Sequence, residues 1–124
     1  MTMIYHITSR SAAQAAHQSG VYRADSLTSQ GFIHFSQAHQ LLGVANAFYT
    51  SETDLLILVV DPALLTAELK YEAPAHPGTS SSAVTPSANQ LFPHLYGALN
   101  FSAVCGVIDL PHKPGEPFEI PALN

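Results

Sequence analysis

The sequence predicts a single α+β domain in which two N-terminal helices pack on short, mainly antiparallel sheets. Three observations carry this reading. Strand and helix patterns alternate as far as Thr50 and mainly strands follow, an order that groups the helices in the N-terminal half. Residues 55–60, LLILVV, form an uninterrupted apolar run stopped by Asp61 and Pro62, which suits a central strand buried on both faces better than a short helix. Neither G-x-G-x-x-G nor G-x-x-x-x-G-K-[ST] occurs, so a doubly wound parallel sheet has no phosphate turn to support it.

The first strand is expected over residues 2–8, where Ile4, Tyr5 and Ile7 are β-branched or aromatic. Ser9 can cap the helix that follows, Ala12, Ala13, Ala15 and Ala16 give it a narrow apolar face, and Gly20 is placed to stop it. Residues 21–30 are polar and read as a connection. Phe32 to Phe35 make a second short strand after Gly31, and Ser36 is positioned to cap a second helix ending near Thr50. In that helix Leu41, Val44, Ala45 and Phe48 recur at the spacing of one buried face. After the apolar run, Leu69 and Tyr71 alternate with Lys70 and Glu72 as a half-exposed strand. Residues 73–90 turn abruptly to Pro, Ser, Thr, Gly and Ala, a composition that predicts a mobile loop, a candidate lid. Order returns at LFPHLYG, a last strand runs over about 102–110, and the Pro-rich residues 111–124 are expected to lie extended on the domain.

Composition narrows the function classes. The 124 residues fit one domain, 1–124, and 47% hydrophobic against 10% charged residues excludes a disordered, highly charged chain. A net charge of -5 has the wrong sign for gripping phosphate backbones, so nucleic acid is a disfavoured partner. The single Cys105 forms no intrachain disulfide, no apolar run reaches the ~18 residues of a membrane span, and the N-terminus lacks a signal-peptide pattern. A cytoplasmic location is the expectation.

Three segments set a histidine among aromatic and apolar neighbours: YHIT at 5–8, GFIHFS at 31–36 and FPHLYG at 92–97. Side chains alternate along a strand, so His34 shares a face with Phe32 and Ser36, and His6 shares one with Thr8. Taken singly, each histidine fits a core residue donating to a backbone carbonyl. Taken together they fit one cleft, lined by His6, His34, Ser36 and His94, and suited to hydroxyl or phosphate recognition, proton transfer or metal binding. A three-histidine zinc site, and with it a zinc-dependent hydrolase, is the sharpest competitor. No H-x-x-x-H supports it, and His34 and His39, five apart, fall on different sides of a helix, so no metal is expected. Cys105 has no cationic neighbour in sequence to activate it, and Ser36 lacks the G-x-S-x-G elbow. Glu72, ending a strand before the long loop, is the best carboxylate candidate. Phe92 and Tyr96 offer stacking surfaces, and Gln40 and Asn100 neutral hydrogen bonds.

In this order the segments resemble a bacterial family known only as domain of unknown function 952. The residues that carry the resemblance are Tyr5 to Thr8, GFIHFS with Gln40 four residues beyond Ser36, the apolar strand ending in Asp61, FPHLYG, Leu99 with Asn100, and Ala103 with Val104. Two departures stand out: an aromatic residue usual in the first helix is absent around Gln14, and residues 73–90 are longer than usual. The family is in turn distantly similar to ADP-ribosyltransferases, which bind NAD in a cleft between two small sheets. That resemblance implies a nucleotide ligand, NAD or ADP-ribose, with NAD as substrate, and ADP-ribosyl transfer as the activity. It sets His6 where the adenosine ribose is contacted, His34 with Ser36 at the nicotinamide ribose, and His94 as the third element. The candidate catalytic residues are His34, His94 and Glu72, and the candidate ligand-binding residues are His6, Thr8, Ser36, Gln40, Tyr96 and Asn100. Cleavage of the glycosidic bond passes through an oxocarbenium-like state, so the task is to orient the ribose and stabilise developing charge. Phosphate chemistry on RNA normally wants several arginines, and this chain has Arg10 and Arg23 alone. A non-catalytic nucleotide-binding or partner-binding module is the alternative.

Overall fold

Residues 2–73 and 90–123 are described by the computed structural model. The expected lid falls almost wholly outside these residues. The elements run β1 (Ile4–Ser9), α1 (Arg10–Ser19), β2 (Val21–Tyr22), α2 (Asp25–Ser29), β3 (Ile33–His34), α3 (Leu41–Phe48), β4 (Leu55–Val60), β5 (Glu68–Glu72), β6 (Phe92–Tyr96), β7 (Leu99–Asn100) and β8 (Val104–Leu110). Among the described residues all strand pairings are antiparallel, in sheets of order β1-β4-β8, β2-β7 and β3-β6-β5. The protein is thus a small α+β domain with its helices in the N-terminal half, but the described residues hold three α-helices where the sequence predicted two.

β4 is the centre of the larger sheet, and all six of its residues are buried. Alternation divides them between two cores. Leu56, Leu58 and Val60 join Ile4, Ala13, Ala16, Ile33, Phe35 and Leu95 beneath α1 and the β3-β6-β5 sheet. Leu55, Ile57 and Val59 join Tyr5, Ile7, Leu41, Ala45 and Phe118 beneath α3 and the C-terminal segment. Each such aliphatic side chain contributes about 1.5–3 kcal/mol by leaving water, which is why this strand is apolar at every position. Residues 111–123 contain no strand or helix, and buried Phe118 pins them to the second core.

Local signals fix the ends of α1. Ser9 Oγ accepts from the Ala12 N–H, and Gly20 takes the left-handed conformation (φ 85°) that ends the helix and returns its N–H to the Ala16 carbonyl. The start of α3 departs from expectation. Ser36 does not cap it; the turn before α3 carries a reciprocal capping box, with Gln37 as the cap and Gln40 Oε1 accepting from the Gln37 N–H at 2.8 Å. Ser36 is instead held in a backbone bridge to Tyr5, with N···O distances of 2.9 and 2.7 Å.

Candidate functional site

The Tyr5–Ser36 bridge joins β1 of one sheet to the chain just beyond β3 of another, and from it the two strands part. In a continued antiparallel ladder the His34 carbonyl would receive a backbone N–H from β1. It receives the His6 ring instead, Nδ1–H to carbonyl at 2.6 Å. A side chain therefore wedges the two strands apart, and a cavity of about 480 Å³ opens beside the wedge. Its floor is Tyr5 to Ser9 with Tyr22 and Ser36. One wall is Arg23 to Ser26, and the other is Val44 and Phe48 of α3 with Tyr49, just past its end, and Glu52.

The floor holds a directed chain of hydrogen bonds. Because His6 Nδ1 donates to a carbonyl, Nε2 must accept, and the Tyr22 hydroxyl donates to it at 2.8 Å. With its own O–H directed to His6, Tyr22 accepts from the Thr8 hydroxyl at 3.1 Å. The tautomer of His6 is fixed by its partners, and burial pushes its pKa down to about 4 despite the opposing pull of the His34 carbonyl. His6 is a neutral ring at neutral pH. Burial likewise pushes Tyr22 up, so its phenol keeps its proton. Tyr22→Phe removes the donor and leaves His6 Nε2 unsatisfied, a loss expected to cost about 1–3 kcal/mol of stability in urea unfolding at pH 7.

A second cluster lies on the face of the β3-β6-β5 sheet opposite Ile33 and Leu95. The register pairs His34 with His94 and His94 with Lys70, so these side chains share that face with Glu72 and Tyr96. His94 is 1% exposed. Its Nδ1–H donates to Glu72 Oε1 at 2.9 Å, and the same oxygen accepts from the Tyr96 hydroxyl at 2.5 Å. These two bonds, Tyr96 first, hold the Glu72 carboxyl below its usual range. The His94 ring stacks on Phe32 (centroids 4.2 Å, 23°) and meets the His34 ring edge-on at 5.5 Å. Its Nε2 is buried and has no hydrogen-bond partner among the described residues. A buried imidazole oriented by a carboxylate at one nitrogen and unused at the other is the arrangement of a general base.

The residues expected to share one cleft are thus divided between two adjoining clusters. His6, Thr8, His34 and Ser36 line the cavity, and His94 does not. His34 connects them, its carbonyl bound to His6, its ring against His94 and its Nε2 hydrogen-bonded to Gln30 Oε1. Gln40 acts in the capping box and donates from Nε2 to the Leu91 carbonyl at 2.8 Å. Asn100 lies outside the cavity wall, its amide bonded to Thr66, Leu64 and Ser102. Sequence reasoning missed Tyr22, Asp25, Phe48, Tyr49 and Glu52, which line the cavity and sit in no motif. Among the described residues no three His, Cys, Asp or Glu side chains are arranged to hold a metal ion. Both His6 nitrogens are already engaged. No helix among the described residues is long and apolar enough to cross a membrane.

Fold and cavity define a small α+β domain whose cavity is a split between neighbouring strands of two antiparallel sheets. Residues 7–107 match the family described as protein of unknown function (DUF952), and the chain belongs to that family. It is similar to protein CC0527 from Caulobacter crescentus, a structural genomics target. The crystal structure of that protein has a TM-score of 0.75 at 29% identity, covering 95% of this chain and 94% of that one. A crystal structure of a double mutant of the same protein gives 0.75 at 28% over the same shares, and its solution structure gives 0.67 at 31%, covering 90% and 86%. No curated protein matches the chain.

Proposed function

We propose that the cavity binds a ribosylated nucleotide of the NAD or ADP-ribose type and that the protein acts in ADP-ribosyl transfer, in the manner of the ADP-ribosyltransferases its motifs resemble. The observation that carries this reading is the cleft floor, where Thr8, Tyr22, His6 and Ser36 set hydroxyls and an imidazole along a split between two sheets. Sugar hydroxyls are matched by such neutral donors and acceptors, and the volume lies within the ~300–1,000 Å³ of small-molecule sites. In this reading the acceptor nucleophile attacks the anomeric carbon of the nicotinamide ribose, the glycosidic C–N bond breaks and neutral nicotinamide leaves with the electron pair, while His94 takes the nucleophile's proton and Glu72 orients the His94 ring. His34 and Phe32 pack against His94, so the acceptor reaches Nε2 once these side chains turn aside.

Calorimetry and thermal melts with NAD and ADP-ribose test the reading. His34→Ala is expected to weaken binding by about 1 kcal/mol with little change in melting temperature, because the ring is only half-buried. A sharp fall in melting temperature with unchanged affinity contradicts it. The complete internal hydrogen bonding of His6 favours one other reading, a non-catalytic nucleotide-binding module. The two part at turnover: a module binds the nucleotide and leaves it intact.

A further inference from the structure

β8 is an outer strand of the larger sheet, and none of its residues lines the cavity. Tyr5 exchanges both backbone bonds with Ser36, so alternate β1 residues, Tyr5, Ile7 and Ser9, turn their N–H and C=O away from β4, while Ile4, His6 and Thr8 bond to it. Carried through the register, this alternation leaves Leu55, Ile57 and Val59 of β4 bonding to Leu110, Ile108 and Gly106 of β8. Val107 and Asp109 therefore turn their N–H and C=O to the outer edge, where no backbone group among the described residues bonds them. Native sheets commonly blunt such an edge with lysine, proline or an unpaired charge. β8, VCGVIDL, has no Lys and no Pro, its one charged residue, Asp109, is held by Arg10, and Val107 is 53% exposed in mid-strand.

The regular part of this edge is short and symmetric. At one end a bulge breaks the register between Val59 and Val60, with Cys105 as the extra residue, and at the other Pro111 has no N–H to give. Residues 106–110 lie between, with Ile108 at their centre and Val107 and Asp109 on either side of it. Two copies laid antiparallel about an axis through Ile108 set each Val107 opposite the other's Asp109, so one register pairs all the outward groups of both. On the face that packs under α3, Ile108 meets Ile108 of the second copy, and Leu110 meets the bare Gly106. Each Asp109 is neutralised by its own Arg10, so the two acids do not meet as bare charges.

We infer that β8 is the docking edge for a second copy of this chain, joining two sheets into one of order β1-β4-β8-β8-β4-β1 about a two-fold axis at Ile108. Sedimentation equilibrium and amide hydrogen exchange on the full chain test it. A dimer is expected in which the Val107 and Asp109 amides become protected as concentration rises, while those of Gly106 and Ile108, bonded to β4, are protected throughout. Val107→Pro removes an outward N–H and none from the β4 ladder, so it is expected to weaken the dimer about tenfold or more while a thermal melt shows a folded chain. The register is read in a Cys105→Ser background. There Ile108→Cys is expected to form an intersubunit disulfide on oxidation, because a non-hydrogen-bonded pair sets the two Cα atoms about 4.5 Å apart. Val107→Cys, offset diagonally from its counterpart by about 7–8 Å, is expected not to. Exchange and cross-linking decide the matter even where the proline variant folds poorly. If the wild type stays monomeric at millimolar concentration, if it dimerises with Val107 and Asp109 unprotected, if folded Val107→Pro dimerises as the wild type does, or if Ile108→Cys does not cross-link, the inference falls. The nucleotide reading is untouched by any of these results.

Discussion

Between pH 7 and pH 5 the wild-type protein is expected to lose about 2 kcal/mol of stability through His6 alone. The ring is neutral inside the fold, with its pKa pushed down to about 4, whereas in the unfolded chain it titrates at 6.5. As pH falls through that window the unfolded state takes up a proton that the folded state refuses, so unfolding is favoured. The contribution is whole above 6.5, declines below it, and approaches about 3 kcal/mol of loss near pH 4. Urea unfolding at pH 5, 6 and 7 on wild type and His6→Gln isolates the effect. Gln carries no charge at any of these values, so the variant's stability should change about 2 kcal/mol less over the range. Equal pH slopes for the two proteins would show that the His6 ring is hydrated in the folded state.

If the protein acts in ADP-ribosyl transfer as proposed, the largest effect on activity is expected at His94. General-base catalysis contributes about 10²–10⁴-fold, so His94→Gln should lower ADP-ribosyl transfer by that order while leaving nucleotide affinity within a few-fold, since His94 does not line the cavity. Glu72→Gln should cost less, because an amide oxygen still accepts from Nδ1–H and holds the tautomer. The measurement is NAD turnover together with calorimetric affinity on the same samples. A His94→Gln protein that turns over NAD at the wild-type rate removes the base from this residue. One that loses affinity and rate in equal proportion assigns His94 to binding.

What could be read from the sequence was whatever local physics fixes. LLILVV is buried on both faces and had to be apolar throughout, so β4 was legible as a central strand. Ser9 and Gly20 act within a few residues of themselves, so both ends of α1 were legible too. The three histidine segments, and the face that His6 shares with Thr8, followed from strand alternation. α2 was not legible, because none of its five residues is fully buried, Leu27 alone packs an apolar side chain on the core, and no apolar period shows; Ser26 is tied instead to the Phe32 carbonyl across the turn. Ser36 looked like a cap because Ser is a good one, but a non-local bridge to Tyr5 claimed its backbone. The tertiary structure alone decided that His94 and His6 belong to different clusters, since that depends on which strands meet and on which faces. It alone brought Tyr22, Phe48 and Glu52 to one cavity, because their convergence is set by the packing of α2 and α3 around a split sheet; the helical period marked Phe48 as a member of the α3 stripe but not as a cavity wall.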